Sequence, residues 1–184
     1  NKLHSEYQTK VDNFKNAIKN LRDLYKKGVL GFSRKREVDG FMDDLTNFGL
    51  THGKPDAVIL DYLQLMQINQ RKDYKDKENI DYASIQLKRY TDNHQIPVVA
   101  AAQLNRDHTK EGTSPELEDL KGSGNLEQDA NRVWLLHTPK KNGLGQDQKE
   151  NWLQEKQFYQ AKGRGCPIAK EIIQFNGPQK RFFM

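Results

Sequence analysis

The sequence predicts an α/β fold: a mostly parallel sheet flanked by helices, with antiparallel strands at one edge near the C-terminus. Three continuous apolar runs, at 57–60, 98–102 and 132–137, are separated by segments of largely helical character. Apolar strands that alternate with helices are typical of parallel sheets covered on both faces. After residue 152, strand-like segments follow one another without an intervening helix, which indicates antiparallel pairing.

The beginning of the chain is predicted to form two amphipathic helices. Residues 3–27 carry apolar side chains at three- and four-residue steps, and Gly28 follows a lysine-rich last turn, as helix ends prefer. The members of this stripe are Val11, Phe14, Ile18, Leu21 and Tyr25. Residues 29–32 are predicted to form a short strand, and a second amphipathic helix is predicted over 36–49.

The middle of the chain alternates between strands and helices. A strand at 57–60 follows Pro55, a third helix is predicted over 79–93, and a strand at 98–102 follows Pro97. The polar residues 67–79 and the Gly- and charge-rich residues 105–125 are predicted to be loops.

The last third is predicted to be mainly strands. A short helix is expected to begin near Glu127, before the strand at 132–137. Further strands are predicted in "KQFYQAK" and "AKEIIQF", and "NGPQKRFF" is predicted to be a turn that leads to a last strand.

Composition narrows the class of protein. The 184 residues are 35% apolar and 30% charged, and no apolar run approaches the length of a membrane span. A single cysteine, Cys166, excludes an internal disulfide and suits a reducing compartment, so we expect a cytoplasmic protein without a membrane partner. The net charge of +5 favours an acidic partner such as nucleic acid, but an ordinary basic protein has the same balance.

Two strands end in polar side chains that could form one site. Asp61 follows the strand at 57–60, and Gln103 follows the strand at 98–102. Ligands collect at the carboxyl ends of parallel strands, where an acid can hold Mg²⁺ and a glutamine can sense a terminal phosphate. Taken singly, Asp61 could equally be a helix cap or a loop residue.

Two later segments could contact phosphates. Ser123 and Gly124 provide backbone freedom and N–H groups beside Lys121, although a surface turn has the same composition. Lys162 and Arg164 lie two residues apart, so they project to one side of an extended strand and could clamp a phosphate. They could also be a solvated strand edge that guards against aggregation.

The order of these segments resembles a known family. "DYLQLMQ", "PVVAAAQLNR", "LKGSGNLEQDAN" and "KGRGCP", followed by "IIQF" and "RFF", resemble the C-terminal ATPase domain of DnaB-family replicative hexameric helicases. The resemblance runs from about residue 37 to the end, and more loosely from residue 11. It implies a RecA-like fold and an ATP-dependent DNA helicase with ATP and Mg²⁺ as cofactors. The implied partners are single-stranded DNA, further copies in a homo-hexamer, primase and a helicase loader.

The resemblance also implies roles for the nucleotide site. Asp61 matches the Walker B acid that acts on Mg²⁺, and Gln103 matches the glutamine that links the state of the γ-phosphate to DNA-binding loops. Arg106 stands at the arginine that closes that motif. Lys162 and Arg164 match a cationic pair that reaches the nucleotide of the neighbouring subunit, where Arg164 would be an arginine finger supplied in trans.

For DNA, the resemblance implies a binding loop that contains Lys121, Gly122 and Gly124. The family usually has Arg where Lys121 stands and an acid where Gly122 stands; lysine keeps the charge but loses the bidentate fork. Asn131 replaces a usual Asp, and "KGRGCP" replaces a usual "KxRNGP".

One expected motif is absent from the sequence. No G-x-x-x-x-G-K-[ST] occurs, and "GLTHGKP" at 49–55, which has the wrong spacing, is predicted to be a loop. We therefore expect one RecA-like domain over 1–184 without its P-loop segment: a helical part at 1–35, then 36–184 from Walker B to the arginine-finger region. The chain alone should be inactive, and we expect it to be a fragment of a longer helicase. The alternatives are a P-loop-less module that binds a helicase or DNA without hydrolysing ATP, and a recombinase-like filament protein.

Overall fold

The computed structural model describes residues 2–68, 75–104, 114–120, 124–138, 153–176 and 181–183. The helices are α1 (Lys2–Lys26), α2 (Val38–His52), α3 (Asp76–His94) and the short α4 (Gly124–Asp129). The strands are β1 (Val58–Leu60), β2 (Val98–Ala100), β3 (Arg132–His137), β4 (Leu153–Gly163), β5 (Lys170–Asn176) and β6 (Arg181–Phe183). Single 3₁₀ turns occupy Leu63–Leu65 and Leu117–Asp119. None of these helices combines the length and apolar character that a membrane span requires.

Most predicted elements are present, with shifted ends. The three long helices and every strand from 57 onward are confirmed. The predicted strand at 29–32 is wrong. The N–H groups of Val29 and Leu30 both bond to the Leu24 carbonyl, so the start of this segment forms the turn that closes the C-terminal end of α1. The predicted loops at 67–79 and 49–55 are partly helical, since α3 begins at Asp76 and α2 ends at His52.

The prediction of a mostly parallel sheet holds only for β1 and β2. These two strands pair in parallel, whereas β3, β4, β5 and β6 form a separate antiparallel sheet in that order. The apolar run of β3 was misleading: Val133 and Leu135 are buried, but Trp134 and Leu136 are each 43% exposed. That alternation belongs to an antiparallel strand with one solvated face.

The chain divides into two compact units, residues 1–56 and 57–184. In the first unit, α2 buries Val38 and Phe41, while Phe14 and Tyr25 of the α1 stripe are exposed. A hydrogen bond of 2.6 Å from the Ser33 hydroxyl to the Asp44 carboxylate ties the connection between the helices to α2.

The core of the second unit lies between the parallel strands, the first 3₁₀ turn and α3. Its fully or nearly buried side chains are Val58, Leu60, Leu63, Met66, Ile80, Ala83, Leu87 and Ile96. The opposite face of the parallel pair is bare in the described chain, where the register neighbours Ile59 and Val99 are 79% and 62% exposed.

Candidate functional site

The carboxyl ends of β1 and β2 emerge at one edge. The strands pair Leu60 with Ala100, and the ladder continues as Ala101 N–H donates to the Leu60 carbonyl at 2.9 Å. Leu63 N–H then donates to the Ala101 carbonyl at 2.9 Å. Asp61 and Gln103 therefore both follow strands that end at this edge, and both side chains are exposed.

The side chain of Gln64, for which no role is predicted from the sequence, joins the two strand ends. The side-chain amide of Gln64 donates to the Gln103 carbonyl at 3.2 Å and accepts from the Gln103 N–H at 3.1 Å. The available signal was a polar residue between two leucines in "DYLQL". That position predicts a half-buried side chain that needs a polar partner.

Among the described residues, this edge could hold a metal ion only together with a phosphate ligand. No cluster of three or more His, Cys, Asp or Glu side chains that could hold a metal ion exists among the described residues. Mg²⁺ is commonly bound by one or two carboxylates plus substrate phosphates and water. The exposed carboxylate of Asp61 suits that arrangement and does not by itself form a resident metal site.

Of the residues predicted to bind DNA, the structure describes Gly124. Lys121, Gly122 and Arg106 lie outside the described residues. Gly124 begins α4, and a Cβ atom added there would meet nothing within 4 Å, so packing does not require a glycine. Leu104, the residue after Gln103, forms an isolated antiparallel bridge with Leu120.

The segment before this loop is held by β4. The Tyr159 hydroxyl donates to the Pro115 carbonyl, and burial, with Glu116 and Asp119 nearby, raises the pKa of Tyr159. The buried Asp119 accepts the Glu116 N–H at 2.8 Å. Residues 115–120 are thus anchored on the antiparallel sheet by a tyrosine that stays a neutral donor at physiological pH.

Lys162 and Arg164 both reach the C-terminal end of α4. The Lys162 ammonium donates to the Glu127 carbonyl, and Nη2 of Arg164 donates to the Gln128 carbonyl at 2.7 Å. The Arg164 N–H donates to the Asn131 carbonyl at 3.0 Å. Carbonyls at a helix end carry partial negative charge and attract cations. The two cations lie on one side, as predicted, and both bond to carbonyls of α4 in the same chain.

The turn that carries Arg164 depends on two glycines. Gly165 has φ +73°, a left-handed conformation that Gly, and less often Asn, adopts readily. The replacement of the family's usual Asn by Gly at this position is therefore compatible with the same turn. At the end of β4, Gly163 lies against the buried side chain of Gln160, whose amide donates to Cys166 Sγ at 3.1 Å.

A partly buried polar contact joins α4 to α3. The hydroxyl of Ser84, a buried residue, donates to Oδ2 of Asp129 at 2.6 Å. Because the same short helix accepts the bonds from Lys162 and Arg164, this contact links α3 to both cations.

Replacing Ser84 with alanine should lower the free energy of unfolding by about 1–2 kcal/mol, because a half-buried carboxylate loses its donor. The Ser33→Ala substitution removes a hydrogen bond of the same 2.6 Å length, and the bond that the Lys35 N–H donates to the Ser33 hydroxyl, at an exposed site and should cost less than about 0.5 kcal/mol. Urea unfolding of both variants is the measurement. Equal losses of unfolding free energy in the two variants would show that the contact with Asp129 stabilises the fold no more than the exposed contact does.

Comparisons with known proteins agree with the motifs. The family described as "DnaB-like helicase C terminal domain" matches residues 9–184. The replicative DNA helicase DnaB of Leifsonia xyli subsp. xyli is 36% identical over 126 residues, which are 68% of this chain and 26% of the relative. DnaB of Haemophilus influenzae is 31% identical over 134 residues, or 71% of this chain and 27% of the relative. The chain spans about a quarter of the length of these relatives.

Solved structures share the fold. The ATPase domain of G40P superposes with a TM-score of 0.64 at 24% identity, covering 80% of this chain and 51% of that one. A DnaB-like replicative helicase, whose structure was described with its interactions with primase, gives a TM-score of 0.61 at 25% identity over 76% of this chain and 34% of that one. With its family profile matched over nearly its whole length, the chain belongs to the DnaB-like helicase C-terminal domain family.

Proposed function

We propose that this chain forms part of the RecA-like motor of a replicative DNA helicase, which couples ATP hydrolysis at subunit interfaces to movement along single-stranded DNA. The observation that carries the proposal is the shared edge of β1 and β2. Asp61 and Gln103 both follow strands that end at this edge, and Leu104, the residue after Gln103, bridges to Leu120, which directly precedes the candidate DNA loop in the sequence.

At this edge the chain's own residues would act on bound nucleotide and Mg²⁺. The Asp61 carboxylate would hold the ion directly or through water, and the Gln103 side chain would contact the terminal phosphate or orient a water molecule. Bound Mg²⁺ would supply charge neutralisation on the phosphates. Both side chains are exposed, so a nucleotide could reach them without rearrangement of the core.

Lys162 and Arg164 would act on the nucleotide of a neighbouring copy in a homo-hexamer. A guanidinium group adds two-point charge stabilisation where charge develops on a transferred phosphoryl group. In the chain these cations bind backbone carbonyls of α4. Those carbonyls are neutral acceptors, and a phosphate carries full charge and would compete with them effectively.

The loop with Lys121, Gly122 and Gly124 would hold the DNA backbone. Contacts to phosphates carry no base information, so binding should tolerate any sequence and weaken as salt rises. Primase and a loader are proposed as further partners; the proposal of primase is supported by the related DnaB-like helicase that interacts with primase.

The test is ATP hydrolysis by the full-length protein that carries these residues, with and without single-stranded DNA. We expect DNA-stimulated turnover that falls steeply with salt, because each neutralised phosphate releases counterions. The 184 residues alone should not hydrolyse ATP, since they lack the motif that cradles the phosphates.

A second candidate, compatible with the lack of this motif within the 184 residues, is a P-loop-less module that binds a helicase or DNA without hydrolysis. A full-length protein with no affinity for ATP and tight binding to a separate helicase ring would establish this candidate and overturn the first.

A further inference from the structure

We propose that Gln64 is a positioning residue that joins the strand end carrying Asp61 to the segment that leads to the candidate DNA loop. This inference rests on the proposed function and assigns the coupling between nucleotide and DNA to a particular side chain. Asp61 and Gln103 would sense the nucleotide, and Gln64 would ensure that the two strand ends move together.

The geometry is that of an added rung in the β-ladder. The backbone ladder of β1 and β2 ends where Ala101 bonds to Leu60 and Leu63. Beyond it, the Gln64 amide pairs with the Gln103 peptide through both its donor, at 3.2 Å, and its acceptor, at 3.1 Å. Only Asn and Gln side chains carry a donor and an acceptor arranged like those of a peptide group.

The turn that presents Gln64 is firmly seated. Gln64 lies in the 3₁₀ turn Leu63–Leu65, which begins two residues after Asp61. The flanking Leu63 and Met66 are almost completely buried in the core. Because these buried side chains hold the turn in the core, the Gln64 amide keeps a defined position relative to the end of β1.

The contact continues toward the DNA loop. Gln103 is followed by Leu104, which bridges to Leu120, and Lys121 follows Leu120 in the sequence. The route from Asp61 through Gln64 to Lys121 consists of covalent bonds and backbone contacts except for the side-chain amide of Gln64, and it runs beside the backbone bonds that join Ala101 to Leu60 and Leu63. That makes Gln64 the step that a single substitution can remove while leaving the strands intact.

The first measurement is hydrogen exchange at the Gln103 amide in the full-length protein, by mass spectrometry of peptides that span 101–104. The Gln64→Met substitution keeps the length of the side chain and removes its amide. Exchange at Gln103 should become at least about tenfold faster, because its N–H loses its acceptor. The matched control is Gln86→Met, the same change at a half-buried position of α3, which should leave that exchange unaltered.

The second measurement is the ratio of DNA-stimulated to basal ATP turnover. In Gln64→Met this ratio should fall about tenfold, the factor that one or two lost net hydrogen bonds represent. Gln64→Glu keeps an acceptor for the Gln103 N–H but has no donor for the Gln103 carbonyl. Its defect should shrink as pH is lowered, because the protonated carboxyl group again carries a donor. A role limited to packing would give no such pH dependence.

The outcomes separate the inference from the proposed function. Unchanged exchange in Gln64→Met, or faster exchange with a normal stimulation ratio, would overturn the role of Gln64 and leave the helicase assignment standing. Absence of DNA-stimulated turnover in the unmodified protein would overturn the proposed function, and the coupling role with it, whatever the exchange data show.

Discussion

Replacing Arg164 with alanine should reduce ATP turnover by the full-length protein about a thousandfold while ATP affinity changes little, as loss of an arginine finger does. The guanidinium group is needed where charge develops in the transition state, so its removal lowers kcat more than it weakens ground-state binding. Steady-state kinetics with saturating single-stranded DNA, beside equilibrium binding of a fluorescent ATP analogue, measures both quantities.

The structure shows which local contacts the substitution would keep. The bond from the Arg164 N–H to the Asn131 carbonyl belongs to the backbone and survives. Among the described residues, the side-chain bond that is lost is the one from Nη2 to the Gln128 carbonyl, at an exposed position where a hydrogen bond contributes about 1 kcal/mol or less. A large loss of turnover therefore cannot come from unfolding of the turn, which a circular dichroism melt checks.

Two comparisons sharpen this experiment. Arg132→Ala removes an exposed arginine of β3, opposite Gly163 in the ladder, and should retain normal turnover. The Arg164→Lys variant keeps the charge without the bidentate fork, and its turnover should lie between those of Arg132→Ala and Arg164→Ala.

If Arg164 acts in trans, mixing Arg164→Ala subunits with Asp61→Asn subunits should restore some turnover, because a fraction of interfaces then combines an intact Asp61 with an intact Arg164. Near-normal turnover in Arg164→Ala alone would refute the finger role.

The sequence predicted the elements well because their signals are local. The stripe from Val11 to Tyr25 and the breaker Gly28 define α1 without reference to any other part of the chain. Likewise, Pro97 and the apolar run after it define β2. Such signals depend on the periodicity of side chains and on backbone conformations that particular residues allow.

Sheet topology was predicted less well because pairing depends on distant partners. The run "RVWLLH" fits a buried parallel strand as well as an antiparallel one with a half-exposed tryptophan. Its actual partner, β4, lies about twenty residues later in the sequence. The antiparallel pairing is favoured by contacts such as the stacking of Trp134 on Phe158, whose ring centroids lie 4.8 Å apart.

The candidate site shows the same division. Asp61 and Gln103 could be selected from their places at the ends of apolar strands, and parallel pairing brings those ends together. The roles of Gln64 and α4 could not be foreseen. A hydrogen bond across 39 residues, or an arginine bonded to a helix carbonyl, has no periodic signature in the sequence. Motif reasoning identifies residues that could meet a ligand, whereas the residues that hold them in place emerge only from the coordinates.

The turn that carries Arg164 gives the largest expected effect on stability. Gly163→Ala should lower the free energy of unfolding by about 1–3 kcal/mol, the range for overpacking a filled site. A Cβ atom at this position would lie 1.8 Å from Nε2 of Gln160 and 2.7 Å from Sγ of Cys166. The end of a glutamine side chain can often move aside, but Gln160 is only 3% exposed. Its amide is also held by Cys166 Sγ and by the Pro167 carbonyl.

The matched control is a glycine with free space around it. Gly49 lies inside α2, where an added Cβ atom would meet nothing within 4 Å, so Gly49→Ala should raise stability by about 0.5–1 kcal/mol through helix propensity. Urea unfolding followed by circular dichroism distinguishes opposite shifts of the midpoint. Because Gly163 directly precedes Arg164, its alanine variant should also lose turnover at temperatures where it remains folded. A Gly163→Ala protein with an unchanged midpoint would mean that Gln160 can relocate, and the packing of this turn would then not explain the glycine.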